Sequence, residues 1–175
     1  MIDNFLVSWN ALLEGRFWVL LTSVFSHSSF FHFFINMYVL MGFGSVLLRF
    51  MRPLTFLNFY LTSGIVGSFA HAFLSLTLMN SPEIPALGAS GAIAGIILLF
   101  SLLFPNEKLL LLGFIPVRAI WGAVIVVGVD IWGLVAQSKG GGFNIGHGAH
   151  LGGALMGVVW FLNYKIKAMR LKNHS

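Results

Sequence analysis

Residues 87–104 run Leu87-Gly88-Ala89-Ser90-Gly91-Ala92-Ile93-Ala94-Gly95-Ile96-Ile97-Leu98-Leu99-Phe100-Ser101-Leu102-Leu103-Phe104. The stretch reads as a membrane span with one hydroxyl near its head, Ser90, set between Gly88 and Gly91. A serine with backbone room around it can act as a nucleophile. The residues behind it suit lipid contact or close helix packing and little else. A nucleophile at that depth would cut peptide bonds where water is scarce. The rest of the chain would then have to supply a base and oxyanion donors at the same level.

Composition agrees with a membrane setting. The 175 residues are 58% hydrophobic and 9% charged, with a mean hydropathy of +0.91, whereas a soluble domain carries about a quarter charged residues. The expected fold is all-α, a polytopic transmembrane helix bundle of one domain. The net charge of +5 is not read as a nucleic-acid footprint, because its placement fits membrane topology. With no cysteine, disulfides and thiolate metal sites are excluded. Met1-Ile2-Asp3-Asn4 lacks a basic n-region, so no cleavable signal peptide is expected.

Five spans of about 20 apolar residues are visible. They cover residues 30–48, 55–78, 87–104, 117–136 and 146–164, separated by Arg49/Arg52-Pro53, Asn80-Ser81-Pro82-Glu83, Pro105-Asn106-Glu107-Lys108 and Ser138-Lys139-Gly140-Gly141-Gly142. Residues 1–29 interleave Trp9, Leu12, Phe17 and Trp18 with Asn10, Glu14 and Arg16, as in an amphipathic segment lying in the membrane interface. Residues 30–164 form the bundle, and residues 165–175 a basic cytoplasmic tail. With that tail inside, Arg49, Arg52, Lys108 and Arg118 also fall inside, while Arg16 and Lys139 fall outside, in keeping with the positive-inside rule. Five spans put Met1 outside with nothing to carry it there, so a sixth span ahead of the first is expected.

This topology brings polar groups from three spans to one depth. Ser90 is near the outer end of the third span, His150 about one turn into the fifth, and His32 and Asn36 in the outer turns of the first. Polar groups at membrane depth are expensive and face a bundle interior or a wet cavity. Ser90 Oγ would attack a carbonyl, and His150 would take its proton and return it to the leaving amine. The Ser90 N–H, the Asn36 amide and a His32 ring N–H are candidate oxyanion donors; His32 and Asn36, spaced i, i+4, share a helix face. Gly91/Gly95 and Gly153/Gly157 form two small-residue faces that allow close helix approach.

These motifs resemble the rhomboid intramembrane serine proteases. The shared features are Gly88-Ala89-Ser90-Gly91, the run Ala149-His150-Leu151-Gly152-Gly153 leading to Gly157, and His32-x-x-x-Asn36 preceded by His27. The runs Phe31–Leu40 and His150–Leu155 look most like the mitochondrial presenilin-associated rhomboid-like branch and its bacterial relatives. The resemblance covers nearly the whole chain from Leu13 onward. It implies a six-span core, of which five are visible here, and a Ser–His dyad without an acid. It also implies a water-filled cavity open to the outside and cleavage of single-pass transmembrane substrates near the outer boundary. Carried over, Ser90 is the nucleophile, His150 the base, and His32 and Asn36 the oxyanion donors.

Other polar residues have simpler readings. A lone serine in a membrane helix can bond the carbonyl one turn back. His147 is i, i+3 from His150, but no third metal ligand with clear spacing appears, so no metal and no cofactor is expected and His147 is assigned to the cavity mouth. His27 is read as bracing the loop before the first span, and His71 as a packing histidine. Asp130, the one acid inside a span, can orient a histidine or bond a hydroxyl or the indole N–H of Trp121 or Trp132. Pro82 and Pro85 stiffen the approach to Ser90, helping hold Gly88 and Ala89 away from regular helix. The loop at Gly140–Gly142 is a candidate cover for the cavity.

Function is therefore expected to be serine endopeptidase activity on transmembrane proteins, with the lipid bilayer as setting and no nucleic-acid partner. The alternative is a catalytically silent rhomboid-like protein that binds transmembrane helices. A proton-relay transporter lacks the paired repeats and broken helices such proteins use. The absence of a transit-like start is read as a bacterial inner membrane, with the protein multi-pass and its site opening to the non-cytoplasmic side.

Overall fold

Helices begin where local chemistry supplies a start. The computed structural model describes residues 2–111 and 114–172. Two short helices, α1 (Trp9–Leu13) and α2 (Val19–Thr22), precede the long ones. Helix α3 (Phe30–Leu47) is capped by extended Ser29, whose hydroxyl accepts from the His32 N–H at 3.1 Å, satisfying one of the N–H groups a helix start leaves free. Helix α4 (Pro53–Thr77) opens on proline, which has no N–H to lose there. Helix α5 (Ser90–Leu103) ends just before Pro105. A hairpin of β1 (Lys108–Leu111) and β2 (Ile115–Arg118), in the register Lys108↔Arg118 through Leu111↔Ile115, leads into α6 (Ala119–Ser138) and α7 (His147–Lys172).

The bundle is thus all-α apart from that hairpin. Helices α3, α4 and α6 are each long and apolar enough to cross a membrane, and α5 is a shorter apolar helix. At 14 residues α5 is about 21 Å long, against about 30 Å of hydrocarbon. Three features differ from the sequence reading. The third span starts at Ser90, not Leu87, because Gly88 has φ +127, a conformation no helix contains. The segment after Pro105 is a hairpin rather than a plain loop; its four-residue strands are too short to produce a readable alternation. Helix α7 continues past Tyr164 to Lys172. Residues 173–175 of the basic tail lie outside the described residues, as do the side chains of 167–172.

Helix α7 is wedged between α4 and α5 by glycine. A Cβ on Gly157 would stand 2.6 Å from the Gly95 carbonyl oxygen, and one on Gly67 2.7 Å from that of Ala149. Only backbones without side chains reach this separation. Nearby, Leu47, Phe59, Ile96 and Phe100 form the buried core, while Phe30, Phe31, Phe34 and Tyr38 face outward.

The segment before α3 packs on the bundle. Val7, Ala11, Leu12 and Val19 bury against Ala72, while Leu13, Phe17 and Trp18 stay exposed. Val7 exchanges backbone hydrogen bonds with Ala86 (3.0 and 2.8 Å), and the Gly88 N–H donates to the Ser23 carbonyl at 2.8 Å. This segment therefore holds residues 86–88 in place immediately before Ser90.

Candidate active site

Ser90 occupies the first turn of α5, where the leading N–H groups have no helical partner. Gly88 makes that start possible twice over. Its positive φ turns the chain, and a Cβ there would lie 2.8 Å from His32 Cε1 and 3.0 Å from His32 Nε2. The His32 ring therefore lies directly over the Gly88 backbone, next to Ser90.

The imidazole of His150, from the first turn of α7, meets the serine. His150 Nε2 and Ser90 Oγ are 2.9 Å apart, a full hydrogen bond. The close α5–α7 seam brings it about: a Cβ on Gly91 would already stand 3.1 Å from the Ala149 carbonyl oxygen. His150 Nδ1 is 2.9 Å from Asp130 Oδ1, and His147 Nδ1 is 2.7 Å from the same oxygen.

Ser90 and His150 line a cavity of about 770 Å³, along with His32, Asn36 and His71. Asn36 is 5% exposed and donates one amide hydrogen to the His32 carbonyl at 2.8 Å, which leaves its second hydrogen free. His32 Nδ1 is 3.1 Å from Ser28 Oγ; with Ser28 donating, the ring proton sits on Nε2, the edge beside Gly88. Gly141, Gly142, Phe143 and Ile145 form another wall of the cavity. Gln137 ties that wall down, its amide donating to the carbonyls of Phe143 (2.7 Å) and Ile145 (2.8 Å). Sequence reasoning missed Gln137. It is the one side-chain amide near the end of the fourth span, a signal that was there to be found.

Among the remaining histidines, His147 departs from expectation. It is not at the cavity mouth: it is 4% exposed and rests against Gly133 of α6, where an added Cβ would overlap its ring. Asp130 bonds neither tryptophan, since Trp121 and Trp132 point outward; both histidines of α7 take it instead. His27 packs edge-on against the rings of His32 and Phe33, each at 5.2 Å. Burial, and next the neighbouring His32 ring, hold His27 below the usual imidazole range despite a backbone hydrogen bond at Phe25. His71 is buried, with Nε2 3.3 Å from the Ile84 carbonyl.

Asp130, His147 and His150 bring three potential metal-ligand atoms within 4.8 Å of one another. The donor set fits a metal poorly. A neutral imidazole ligating through Nδ1 carries its proton on Nε2 and donates it onward, yet His147 Nε2 is buried with no partner among the described residues. A carboxylate accepting two N–H groups suits the same atoms without that penalty.

Known proteins give this sequence a lineage. The Rhomboid domain model matches residues 14–165. The chain is 34% identical over 171 residues to "RHOMBOID-like protein 12, mitochondrial" of Arabidopsis thaliana, covering 91% of this chain and 50% of that protein. It is 33% identical over 151 residues to "Rhomboid protein 1, mitochondrial" of Saccharomyces cerevisiae (85% and 42%). It is 35% identical over 169 residues to "Presenilin-associated rhomboid-like protein A, mitochondrial" of Danio rerio (93% and 42%). The chain spans half or less of the length of these relatives. The expectation of a bacterial inner membrane is overturned, because all three relatives are named mitochondrial. That expectation leaned on the lack of a transit-like start. Family model and relatives agree across nearly all of the sequence: the chain belongs to the rhomboid family.

Proposed function

We propose that the chain is the protease core of an intramembrane serine endopeptidase acting on single-pass transmembrane proteins in a mitochondrial membrane. One observation carries this reading: the 2.9 Å hydrogen bond between Ser90 Oγ and His150 Nε2, beside a cavity large enough for water and a peptide segment. Family membership supports it. The names of the relatives support the compartment.

The chemistry follows from the positions. Ser90 Oγ attacks the scissile carbonyl while His150 Nε2 takes its proton. The oxyanion that forms is met by the Ser90 N–H at the start of α5, the free Asn36 amide hydrogen and the His32 Nε2–H. Collapse of the tetrahedral intermediate breaks the C–N bond, and His150 returns its proton to the leaving amine. Water from the cavity then attacks the acyl–serine ester, giving its proton to His150. Expulsion of Ser90 Oγ with that proton releases the carboxylate product. Helix α5 is shorter than the hydrocarbon is thick, so at least one of its ends lies within the membrane; with the Ser90 end there, water reaches the serine through the cavity.

The test is fluorophosphonate labelling of the purified chain in detergent. Labelling is expected in the wild type and lost in Ser90→Ala and His150→Ala. A folded wild type that takes no label would overturn the hydrolase reading in favour of a helix-binding rhomboid-like protein.

A further inference from the structure

Asp130 and Gly133 share one face of α6; His147 and His150 share one face of α7. Where the faces meet, both imidazoles turn Nδ1 toward a single oxygen, Asp130 Oδ1, at 2.7 and 2.9 Å. The site is enclosed: the Asp130 side chain is 8% exposed, that of His147 4% and that of His150 20%. Gly133 makes room, since any side chain there would overlap the His147 ring.

Geometry determines where the protons are. With Asp130 ionised, two lone pairs cannot face each other at 2.7 or 2.9 Å, so each Nδ1 carries a hydrogen and donates it to the carboxylate. For His147, a second proton on Nε2 would be a buried donor without an acceptor among the described residues, so the ring is held as the Nδ1–H tautomer. For His150 the same tautomer leaves Nε2 bare and aimed at Ser90 Oγ, 2.9 Å away. That is the arrangement a general base needs. The opposite tautomer would point a proton at the serine and a lone pair at the carboxylate.

We propose that Asp130 and His147 are positioning residues for His150: Asp130 holds the base in its active tautomer and offsets the imidazolium formed when it takes the serine proton, and His147 fixes the carboxylate by a second hydrogen bond. The inference rests on the hydrolase reading above and extends it, because the family resemblance implies a Ser–His pair without an acid. The clamp acts through one oxygen, with α6 supplying the acceptor and α7 both donors. Docking of α6 onto α7 and the poise of the base are therefore coupled.

The test combines kinetics and spectroscopy on the full chain in detergent. Asp130→Asn keeps the volume and removes the charge, and is expected to lower kcat at least tenfold with KM within twofold; loss of the acid in soluble triads costs up to about 10⁴-fold. His147→Ala is expected to lower kcat several-fold, again without a matching change in KM. Nitrogen-15 spectra of histidine-labelled protein, with His150 assigned by difference against His150→Ala, should show a protonated Nδ1 and a bare Nε2 in the wild type. In Asp130→Ala they should show a mixture of tautomers. Should Asp130→Ala fail to fold, the wild-type spectrum and Asp130→Asn still decide the matter. A kcat within twofold of wild type in Asp130→Asn, or a wild-type His150 protonated on Nε2, overturns the proposal. A wild type that neither labels nor cleaves overturns the hydrolase reading instead, and the tautomer spectrum still tests the clamp.

Discussion

Replacing Gly95 with alanine isolates the contribution of helix separation to the chemistry. Gly95 touches no reacting group. A Cβ there would stand 2.7 Å from the Gly153 carbonyl oxygen and 2.8 Å from Ser63 Oγ, about 0.8 Å short of ordinary contact. Neither neighbour can yield cheaply: one is helix backbone, and the other is fully buried. Helices α5 and α7 must part. Gly95 is about 7.5 Å along α5 from Ser90, and Gly153 about 4.5 Å along α7 from His150, so most of the shift reaches the dyad. The Ser90–His150 distance would grow from 2.9 Å to about 3.5 Å, the limit of a hydrogen bond. Misplacement on the order of 1 Å costs about 10²-fold in rate. The expected outcome is a 10- to 100-fold fall in cleavage of a transmembrane reporter and in fluorophosphonate labelling, as order-of-magnitude figures from the same principle. Overpacking should also remove about 1–3 kcal/mol of stability. Gly128→Ala on α6 is the control, since a Cβ there meets nothing within 4 Å. It should leave activity unchanged and gain up to about 1 kcal/mol from helix propensity. Wild-type labelling by a folded Gly95→Ala protein would refute the idea that glycine contact sets the dyad distance.

Three further outcomes are expected. Gly88→Ala forces a side chain into a positive-φ position and against His32; it should cost about 1–3 kcal/mol in backbone strain and show as a lower unfolding midpoint with reduced labelling. Asn36→Ala removes one proposed oxyanion donor and should lower kcat about 10²- to 10³-fold with KM nearly constant; a matching rise in KM instead would assign Asn36 to substrate binding. Gln137→Ala frees the Phe143 and Ile145 carbonyls, about 1–3 kcal/mol for two hydrogen bonds, so amide exchange across residues 141–146 should accelerate, and unchanged exchange would mean the wall is held by other contacts.

The sequence alone determined the class and the polar residues worth watching. Membrane segments are legible because hydrocarbon sets their length and polarity residue by residue. Ser90, His150, His32 and Asn36 were visible because isolated polar groups at one depth stand out against an apolar background. The β1–β2 hairpin was not legible, since strands of four residues leave no periodic trace.

What only the tertiary structure decided was partnership. A membrane helix can rotate about its axis without changing its hydropathy, so sequence could not say which face of α6 turned inward. Asp130 therefore stood between indole and imidazole partners until packing turned Trp121 and Trp132 outward. His147 was assigned to the cavity mouth, because i, i+3 spacing gives a shared face but not what that face meets. Its burial against Gly133, with both imidazoles on a carboxylate oxygen 17 and 20 residues away in sequence, depends on two helices approaching without a side chain between them. Helix rotation and interhelical distance are properties of the packed bundle, and no single segment encodes them.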